Sequence, residues 1–301
     1  MPYCMGTLYW VSGRMNFGSS LLIFFISKNL NDIWQGFSWS SLEYNGDWKL
    51  LHHFAAKFFS PVLLSSVYHN NSLEIWATSD WNVHINNGKL VVEIWAWNKC
   101  FSHKLFSSKV DIAANSSQKI LTLENLVEEI HPLSLSECFV HYSLNVESQV
   151  VEMLEEESVM SSNLHLLTPL KKCALESVPI QFKISIHGKD ETMVHTQFDH
   201  RNKHNNFRVL VAEDDYISKI EIEFTCKQVV PFVYWTSSIA GVAKPANSLK
   251  ASQKTETNGF FLFPNKKKTI TLHPIIGTHF NRQELITFVN DFCVMTVRDT
   301  Y

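Results

Sequence analysis

The sequence has 301 residues and a formal charge of -3, from 26 Lys and Arg against 29 Asp and Glu. A chain of this length supplies about two domains, each with its own core. The balanced charge argues against nucleic acid as a partner, because nucleic-acid-binding domains concentrate basic residues. Hydrophobic residues at 45% and charged residues at 18% are typical of a folded globular protein and exclude an intrinsically disordered chain.

The first sixty residues combine one short strand with one helix. Residues 7–10 are rich in β-formers, and the apolar residues of 48–59 follow helical spacing before Pro61. These features predict one β/α unit over residues 1–60. Such a unit cannot bury both of its faces alone, because parallel sheets need neighbouring strands and helices. We therefore expect it to be part of a larger α/β assembly.

From about residue 73 the apolar residues recur with a period of two. Residues 89–97, 138–146, 180–187 and 219–226 alternate apolar with polar side chains, and further apolar runs lie at 229–235, 260–263, 269–273 and 288–297. Short alternating strands separated by turns favour antiparallel β-sandwiches. Between them, Leu123, Leu126, Val127 and Ile130 predict one short amphipathic helix that ends before Pro132. The predicted fold is mainly β with a small α/β part, with sandwiches at 61–175 and 176–301.

A polar and aromatic cluster lies after the first predicted strand. Asn31, Asp32 and Trp34 suit a sugar site, because amide and carboxylate groups bind hydroxyls and an indole ring stacks on a pyranose. The high aromatic content, 13% with 9 Trp and 21 Phe, fits sugar-binding surfaces but equally fits β-rich cores. The alternative is that the tryptophans of this cluster, Trp34 and Trp39, only pack under the following helix.

Other chemistry receives little support from the residues. Glycoside hydrolysis needs two carboxylates that flank the bond, and the β/α segment offers Asp32 and Glu43 without partners on other strands. His200 and His204 are four residues apart, but their surroundings are loop-like, so we expect no metal site. There is no Gly-rich phosphate loop, and no cofactor is expected.

Features of a secreted protein are mixed. Asn70 and Asn115 begin Asn-X-Ser sequons and are candidate glycosylation sites. The six cysteines contain no CxxC pair, which disfavours a zinc ribbon and leaves disulfide pairing open. The N-terminus does not read as a signal peptide, and the apolar run at 21–26 is too short to span a bilayer, so no membrane partner is expected.

Three segments resemble a known family. They are GTLYW at 6–10, LNDIWQGFSWSSLEYNGDWKLLHHFAAKFFSP at 30–61, and the closing block 229–301 with its PFVYW and NGF motifs. The chain resembles the C-terminal part of eukaryotic, lysosomal-type β-mannosidases of glycoside hydrolase family 2. The resemblance implies the last strand and helix of a (β/α)8 barrel, followed by two immunoglobulin-like sandwiches. It also implies that Asn31, Asp32 and Trp34 line a mannose subsite.

The same resemblance implies what the chain does not contain. The family's nucleophile and acid/base glutamates would lie upstream of Met1, so we expect no catalytic residues and no activity from this chain alone. Residues 11–29 interrupt a strand that is continuous in the family, which points to a gene-model or splicing artefact. The parent enzyme would remove terminal β-D-mannose from N-glycan-derived oligosaccharides in the lysosome. The alternative is a non-catalytic carbohydrate-binding or domain-packing module that uses sandwich-surface aromatics such as Trp95 and Trp97.

Overall fold

A computed structural model describes residues 32–34, 38, 40–42, 44, 49–146, 158–187, 192–199, 219–236, 243–245, 258–274 and 282–300. The chain divides into two compact units, Met1–Leu175 and Glu176–Tyr301. Within these ranges, no helix has the length and apolar character needed to cross a membrane. The predicted segments at 1–31, including the interruption at 11–29, lie outside the described residues, as do Glu43, His200 and His204.

The described residues of the first unit form two helices and seven strands. In chain order they are α1 (Leu50–Phe58), β1 (Val62–His69), β2 (Ser72–Ser79), β3 (Ile85–Ala96), β4 (Ser102–Ile112), β5 (Ser116–Leu123), α2 (Leu126–Ile130), β6 (Cys138–Val146) and β7 (Ser158–Leu166). A short 3₁₀ turn follows at Leu170–Lys172.

The strands of the first unit form two antiparallel sheets with one core between them. One sheet has the order β1-β2-β5 and the other β4-β3-β6-β7. The core takes the inward residues of both sheets, which include Leu64, Leu73, Ile75, Leu90, Val92, Ile94, Val140, Tyr142 and Leu144. Because successive strand residues point to opposite faces, the period of two in the sequence produces this arrangement directly.

Turn residues set the strand pairing at one end of this sandwich. Asn70 and Asn71 form the tight connection between β1 and β2, with φ angles of 48° and 61°. Asn tolerates this left-handed conformation better than most residues, and such two-residue turns match the twist of paired strands. The main chain of the turn also binds the next helix, because Leu126 N donates to Asn71 O at 2.8 Å.

In the part of the second unit that the structure describes, the chain forms strands and two helices. Its elements are β8 (Ile180–His187), β9 (Thr192–Asp199), β10 (Lys219–Cys226), β11 (Val230–Thr236), β12 (Ala243–Pro245), β13 (Phe260–Leu262), β14 (Lys268–Pro274), α3 (Arg282–Asp291), β15 (Cys293–Met295) and α4 (Val297–Thr300). The sheets have the orders β12-β14-β10-β8-β9 and β13-β11-β15. Their shared core is built from aliphatic and aromatic side chains that include Ile184, Ile222, Phe224, Phe260 and Phe288.

The structure confirms the mainly β fold class and corrects two local predictions. Residues 288–297 were expected to be one strand, but Phe288 lies in α3 and only Cys293–Met295 is strand. The spacing Leu285, Phe288, Phe292 is helical, and the first two side chains are buried in the core. Val127 was expected to face inward, but it is 48% exposed. The single turn of α2 buries Leu126 and Ile130, four residues apart, and Leu123 belongs to β5.

Candidate functional site

Asp32 is the described centre of the predicted sugar cluster, and its carboxylate is already occupied by protein donors. Lys49 Nζ donates to Oδ2 at 2.7 Å, Ser40 Oγ donates to Oδ1 at 2.5 Å, and Ser38 Oγ donates to the same oxygen. The side chains of Lys49 and Asp32 are 9% and 4% exposed. Asn31, the other polar residue predicted for the cluster, lies outside the described residues.

These contacts keep Asp32 ionised. The hydrogen bond from Lys49, followed by those from Ser38 and Ser40, lowers the pKa of Asp32 to about 2. A carboxyl with this pKa carries no proton near neutral or mildly acidic pH, so it cannot serve as a general acid. The carboxylate of Asp32 instead links Ser38 and Ser40 to Lys49 by accepting a hydrogen bond from each.

The loop around Asp32 is fixed by main-chain bonds as well. Asp32 N donates to Leu42 O at 3.1 Å, and Lys49 N donates to Ser41 O at 2.9 Å. Ser41 Oγ lies 3.0 Å from Nδ1 of His52 in α1, which ties the loop to the helix. Among the described residues of this segment, Asp32, Ser40, Ser41 and Lys49 are thus joined by hydrogen bonds to one another or to α1.

Trp34 has the opposite environment from Asp32. Its side chain is 70% exposed, and the neighbouring Ile33 is 74% exposed. An open indole next to a fixed loop can stack on a ligand or on another part of a larger protein. The structure therefore places Trp34 at the surface and buries Asp32, two residues earlier in the chain.

Some described carboxylates on the sheets contact basic side chains. Glu93 pairs with His141 at 3.0 Å, and Glu221 accepts from Lys219 at 2.7 Å and contacts His187 at 2.9 Å. Asp32 is the single acidic residue among those described between 32 and 60. Within the described ranges, no group of three or more His, Cys, Asp or Glu side chains could hold a metal ion.

The tryptophans proposed for a binding module, Trp95 and Trp97, are buried. They are 4% and 3% exposed, and Trp97 stacks on Phe139 with ring centroids 4.3 Å apart. The prediction that these two rings form a sugar-binding surface is therefore wrong. Trp95 pairs with Phe139 across β3 and β6. The segment after β7 is tied to the residues that precede β6, because Ala174 N donates to Ser136 O at 3.0 Å.

A different aromatic lies on the outer face of the sheet β1-β2-β5, and the sequence reasoning passed over it. Trp76 in β2 is partly exposed, and its indole Nε1 donates to Glu74 Oε2 at 3.1 Å. The period of two in β2 was a usable signal, because it puts Glu74, Trp76 and Thr78 on the face opposite the buried Leu73, Ile75 and Ala77.

The candidate glycosylation sites are both on exposed turns. Asn70 is exposed in the β1–β2 turn, and Asn115 is exposed between β4 and β5. The Asn115 amide donates to Asn82 Oδ1 at 3.0 Å, whereas Asn70 projects from a tight turn. Glycosylation at either residue stays a prediction.

Comparison with known proteins agrees with the fold of the first unit. Residues 71–172 match the family model described as "Mannosidase Ig/CBM-like domain". The chain is 27% identical over 195 residues to the β-mannosidase of Rattus norvegicus, which covers 64% of this chain and 19% of the relative. It is 42% identical over 78 residues to the β-mannosidase of Capra hircus, covering 26% of this chain and 7% of the relative. The chain thus matches about a fifth or less of the length of these relatives.

Solved structures show the same architecture at low sequence identity. A β-D-mannosidase from Dictyoglomus thermophilum superposes with a TM-score of 0.59 at 13% identity, covering 89% of this chain and 25% of that one. The Amycolatopsis orientalis exo-chitosanase CsxA gives a TM-score of 0.51 at 10% identity, covering 89% and 30%. Together with the curated relatives, these matches confirm the resemblance to β-mannosidases. The division into parts at 1–60, 61–175 and 176–301 stays a prediction.

Proposed function

We propose that this chain is the C-terminal part of a β-mannosidase-like glycoside hydrolase and has no hydrolytic activity by itself. The observation that carries the proposal is the match of residues 71–172 to a mannosidase Ig/CBM-like domain, on a segment that folds as a two-sheet sandwich. The parent protein would hydrolyse terminal, non-reducing β-D-mannose residues of N-glycan-derived oligosaccharides in the lysosome. This chain would supply one barrel unit and two sandwiches, with no nucleic-acid or membrane partner.

The absence of activity rests on the number and state of the carboxylates. Retaining hydrolysis needs a nucleophile and an acid/base on opposite sides of one anomeric carbon, about 5–5.5 Å apart. The resemblance offers no counterpart for either glutamate among the 301 residues. Asp32 cannot replace them, because Lys49, Ser38 and Ser40 hold it ionised and occupy its oxygens. Ground-state contacts from Trp34 would not stabilise the transition state either.

In this proposal, the 32–60 segment belongs to the rim of a barrel. Asn31, Asp32 and Trp34 would line the mannose subsite of the complete enzyme. The contacts of Asp32 favour an indirect part for it, in which the carboxylate shapes the loop that presents the indole of Trp34. The exposed ring is the group in this loop best suited to stack on a sugar.

The activity part of the proposal is tested with an aryl β-mannoside. The purified 301-residue chain is assayed beside an Asp32→Asn, Glu43→Gln double variant, with a full-length β-mannosidase as the positive control. We expect no release of the aryl group above the buffer rate from either form of the chain. Turnover by the parent chain that disappears in the double variant would show that the catalytic carboxylates had been misplaced.

The parentage is tested separately at the nucleic-acid level. The transcript that encodes this chain is sequenced upstream of the Met1 codon. We expect an open reading frame that continues into sequence for the other barrel units and is joined to residues 30–61 without residues 11–29. A transcript that starts at Met1 and retains 11–29 would contradict both parts of this expectation.

A further inference from the structure

The outer face of the sheet β1-β2-β5 carries an ordered set of side chains around Trp76. By strand register, Trp76 lies between Ser65 of β1 and Lys119 of β5. On one side of this row Thr78 pairs with Ser117, and on the other Glu74 pairs with Thr122. We call this set the Trp76 face: Ser65, Glu74, Trp76, Thr78, Ser117, Lys119 and Thr122.

The indole ring is held in place by its own neighbours. Trp76 Nε1 donates to Glu74 Oε2 at 3.1 Å, and Lys119 Nζ donates to Glu74 Oε1 at 2.9 Å. Both bonds lower the pKa of Glu74, that from Lys119 more strongly, so the carboxylate is charged. A ring whose edge is bonded to a charged acceptor has a defined orientation and needs little ordering when a ligand stacks on it.

The polar groups around the ring retain capacity for a ligand. Thr78 Oγ1 and Ser117 Oγ lie 2.9 Å apart, so one hydroxyl still has a free donor and both have free lone pairs. The Glu74 oxygens can each accept another hydrogen bond, and the Lys119 ammonium has two further protons. An aromatic surface bordered by both donors and acceptors is the arrangement that a polyhydroxylated ring requires.

The charge of the Trp76 face points to a neutral ligand. Glu74 and Lys119 are paired with each other, so the face carries no net charge for a phosphate, a carboxylate or a cation to neutralise. A bulge lies beside the ring, because the β2–β5 register shifts between Ile75 and Trp76. Bulges increase the local twist and re-aim side chains, and they are frequent next to functional sites.

We propose that the Trp76 face binds a neutral oligosaccharide, with one hexopyranose ring stacked on Trp76 and its hydroxyls bonded to Glu74, Thr78, Ser117 and Lys119. The apolar C–H face of a pyranose matches the indole, and the hydroxyls at the ring's edge meet the polar border. This binding site lies on the sandwich and is distant in sequence from the loop that contains Trp34. It involves no hydrolysis. The inference goes beyond the proposed function, because this site would attach the chain to a glycan without hydrolysing it.

Affinity electrophoresis of the full chain tests the site. Native gels are run with and without soluble galactomannan, a neutral polysaccharide, for the parent, Trp76→Ala and Phe101→Ala. Phe101 is the matched control, because it is a 63% exposed aromatic of the same unit that lies outside the Trp76 face. We expect retardation of the parent and of Phe101→Ala, and an apparent affinity about tenfold lower for Trp76→Ala. Thr78→Val, which keeps the side-chain shape, should show a smaller loss.

Several outcomes would overturn the proposal. They are an unretarded parent chain, equal retardation of Trp76→Ala and the parent, or retardation by anionic polygalacturonate instead of galactomannan. Loss of retardation in Trp34→Ala with retention in Trp76→Ala would place sugar binding in the loop of the first segment instead. Circular dichroism of each variant checks the fold, and Thr78→Val decides the question if Trp76→Ala is not folded. The aryl β-mannoside assay reports on the proposed function independently of these gels.

Discussion

Ser66 Oγ lies 2.9 Å from Nδ1 of His165, and the hydroxyl of Tyr142 donates to the same Ser66 oxygen at 2.8 Å. The three residues come from β1, β6 and β7, so this chain of hydrogen bonds joins the two sheets of the first sandwich. Tyr142 is fully buried and Ser66 is 6% exposed. Buried polar groups are costly unless each is paired, so we expect this network to specify how the two sheets pack.

We predict that the first sandwich loses stability as the pH is lowered from 6.5 to 4, partly through His165. Burial lowers the pKa of His165 from 6.5 to about 4. The folded state therefore favours the neutral ring, and the unfolded state binds more protons throughout this window. The contribution is at most about 3 kcal/mol, from about 1.4 kcal/mol for each pH unit.

Urea denaturation of the parent and His165→Gln between pH 4 and pH 7 measures this contribution. The variant should be less stable at pH 7 but should lose less stability on acidification. His53, whose pKa burial also lowers to about 4, provides a comparison outside the sandwich. Equal pH slopes for the parent and His165→Gln would contradict the prediction.

Side chains of β7 bond to backbone groups of β1. Both are edge strands among those that the structure describes, so these backbone groups have no neighbouring strand to pair with on that side. Leu64 N donates to Ser161 Oγ at 3.1 Å, and Asn163 Nδ2 donates to Leu64 O at 2.9 Å. Ser161, Asn163 and His165 are alternate residues of β7 and so share one face. Unpaired edge groups invite pairing with other chains, and these bonds satisfy them.

We therefore predict that Asn163→Ala destabilises the chain by about 1 kcal/mol, because it leaves the Leu64 carbonyl without its side-chain donor. Ser107→Ala is the matched control, since Ser107 is an exposed residue of the edge strand β4. The control should change stability by less than about 0.5 kcal/mol. Denaturant midpoints measure the effect, and light scattering after prolonged incubation should rise for Asn163→Ala alone. Identical midpoints for the two variants would count against an edge-closing role.

Removing a buried tryptophan should have a different effect from removing Trp76. We predict that Trp97→Ala costs about 3–5 kcal/mol of stability, because it takes away a ring stacked on Phe139 and leaves a cavity. Trp76→Ala, on the outer face, should cost much less. Thermal unfolding of both variants is the measurement, and a larger cost for Trp76→Ala would show that its ring serves packing.

The contrast between these tryptophans marks the limit of the sequence analysis. Alternation correctly placed Leu90, Val92 and Ile94 on the core face of β3. It also placed Trp95 on the opposite face, but periodicity cannot tell whether a later part of the chain covers that face. In the structure this face of β3 is buried at Trp95 and Trp97, which are 4% and 3% exposed. Trp95 is therefore buried although it lies opposite the core residues of β3, whereas Trp76 on β2 is partly exposed, and the alternation is the same in both strands.

The loop around Asp32 presents the same limit. The residue types predict a sugar-ligand role for Asp32, from a carboxylate beside tryptophans, and that role stays a prediction. The partner Lys49 is 17 positions away, however, and nothing in the local pattern assigns it to Asp32. Only the fold shows that the oxygens are already bonded, which favours a role in shaping the loop.

We predict that the ion pair between Lys49 and Asp32, whose side chains are 9% and 4% exposed, controls the stability of α1. Lys49→Met leaves an ionised carboxylate in a buried place with only the hydroxyls of Ser38 and Ser40, and this costs more than loss of the pair itself. Removing both charges in Asp32→Asn, Lys49→Met restores neutrality. We therefore expect faster hydrogen exchange of α1 in Lys49→Met than in the parent, and partial recovery in the double variant.

Because the pKa of Asp32 is lowered from 3.8 to about 2, the stabilisation from this pair should persist above pH 3.8 and disappear as the pH falls towards 2. Exchange measured by mass spectrometry on peptides from 49–58 tests this, with peptides from β6 as the internal control. Slower exchange in Lys49→Met than in the double variant would show that the buried charge does not govern the loop.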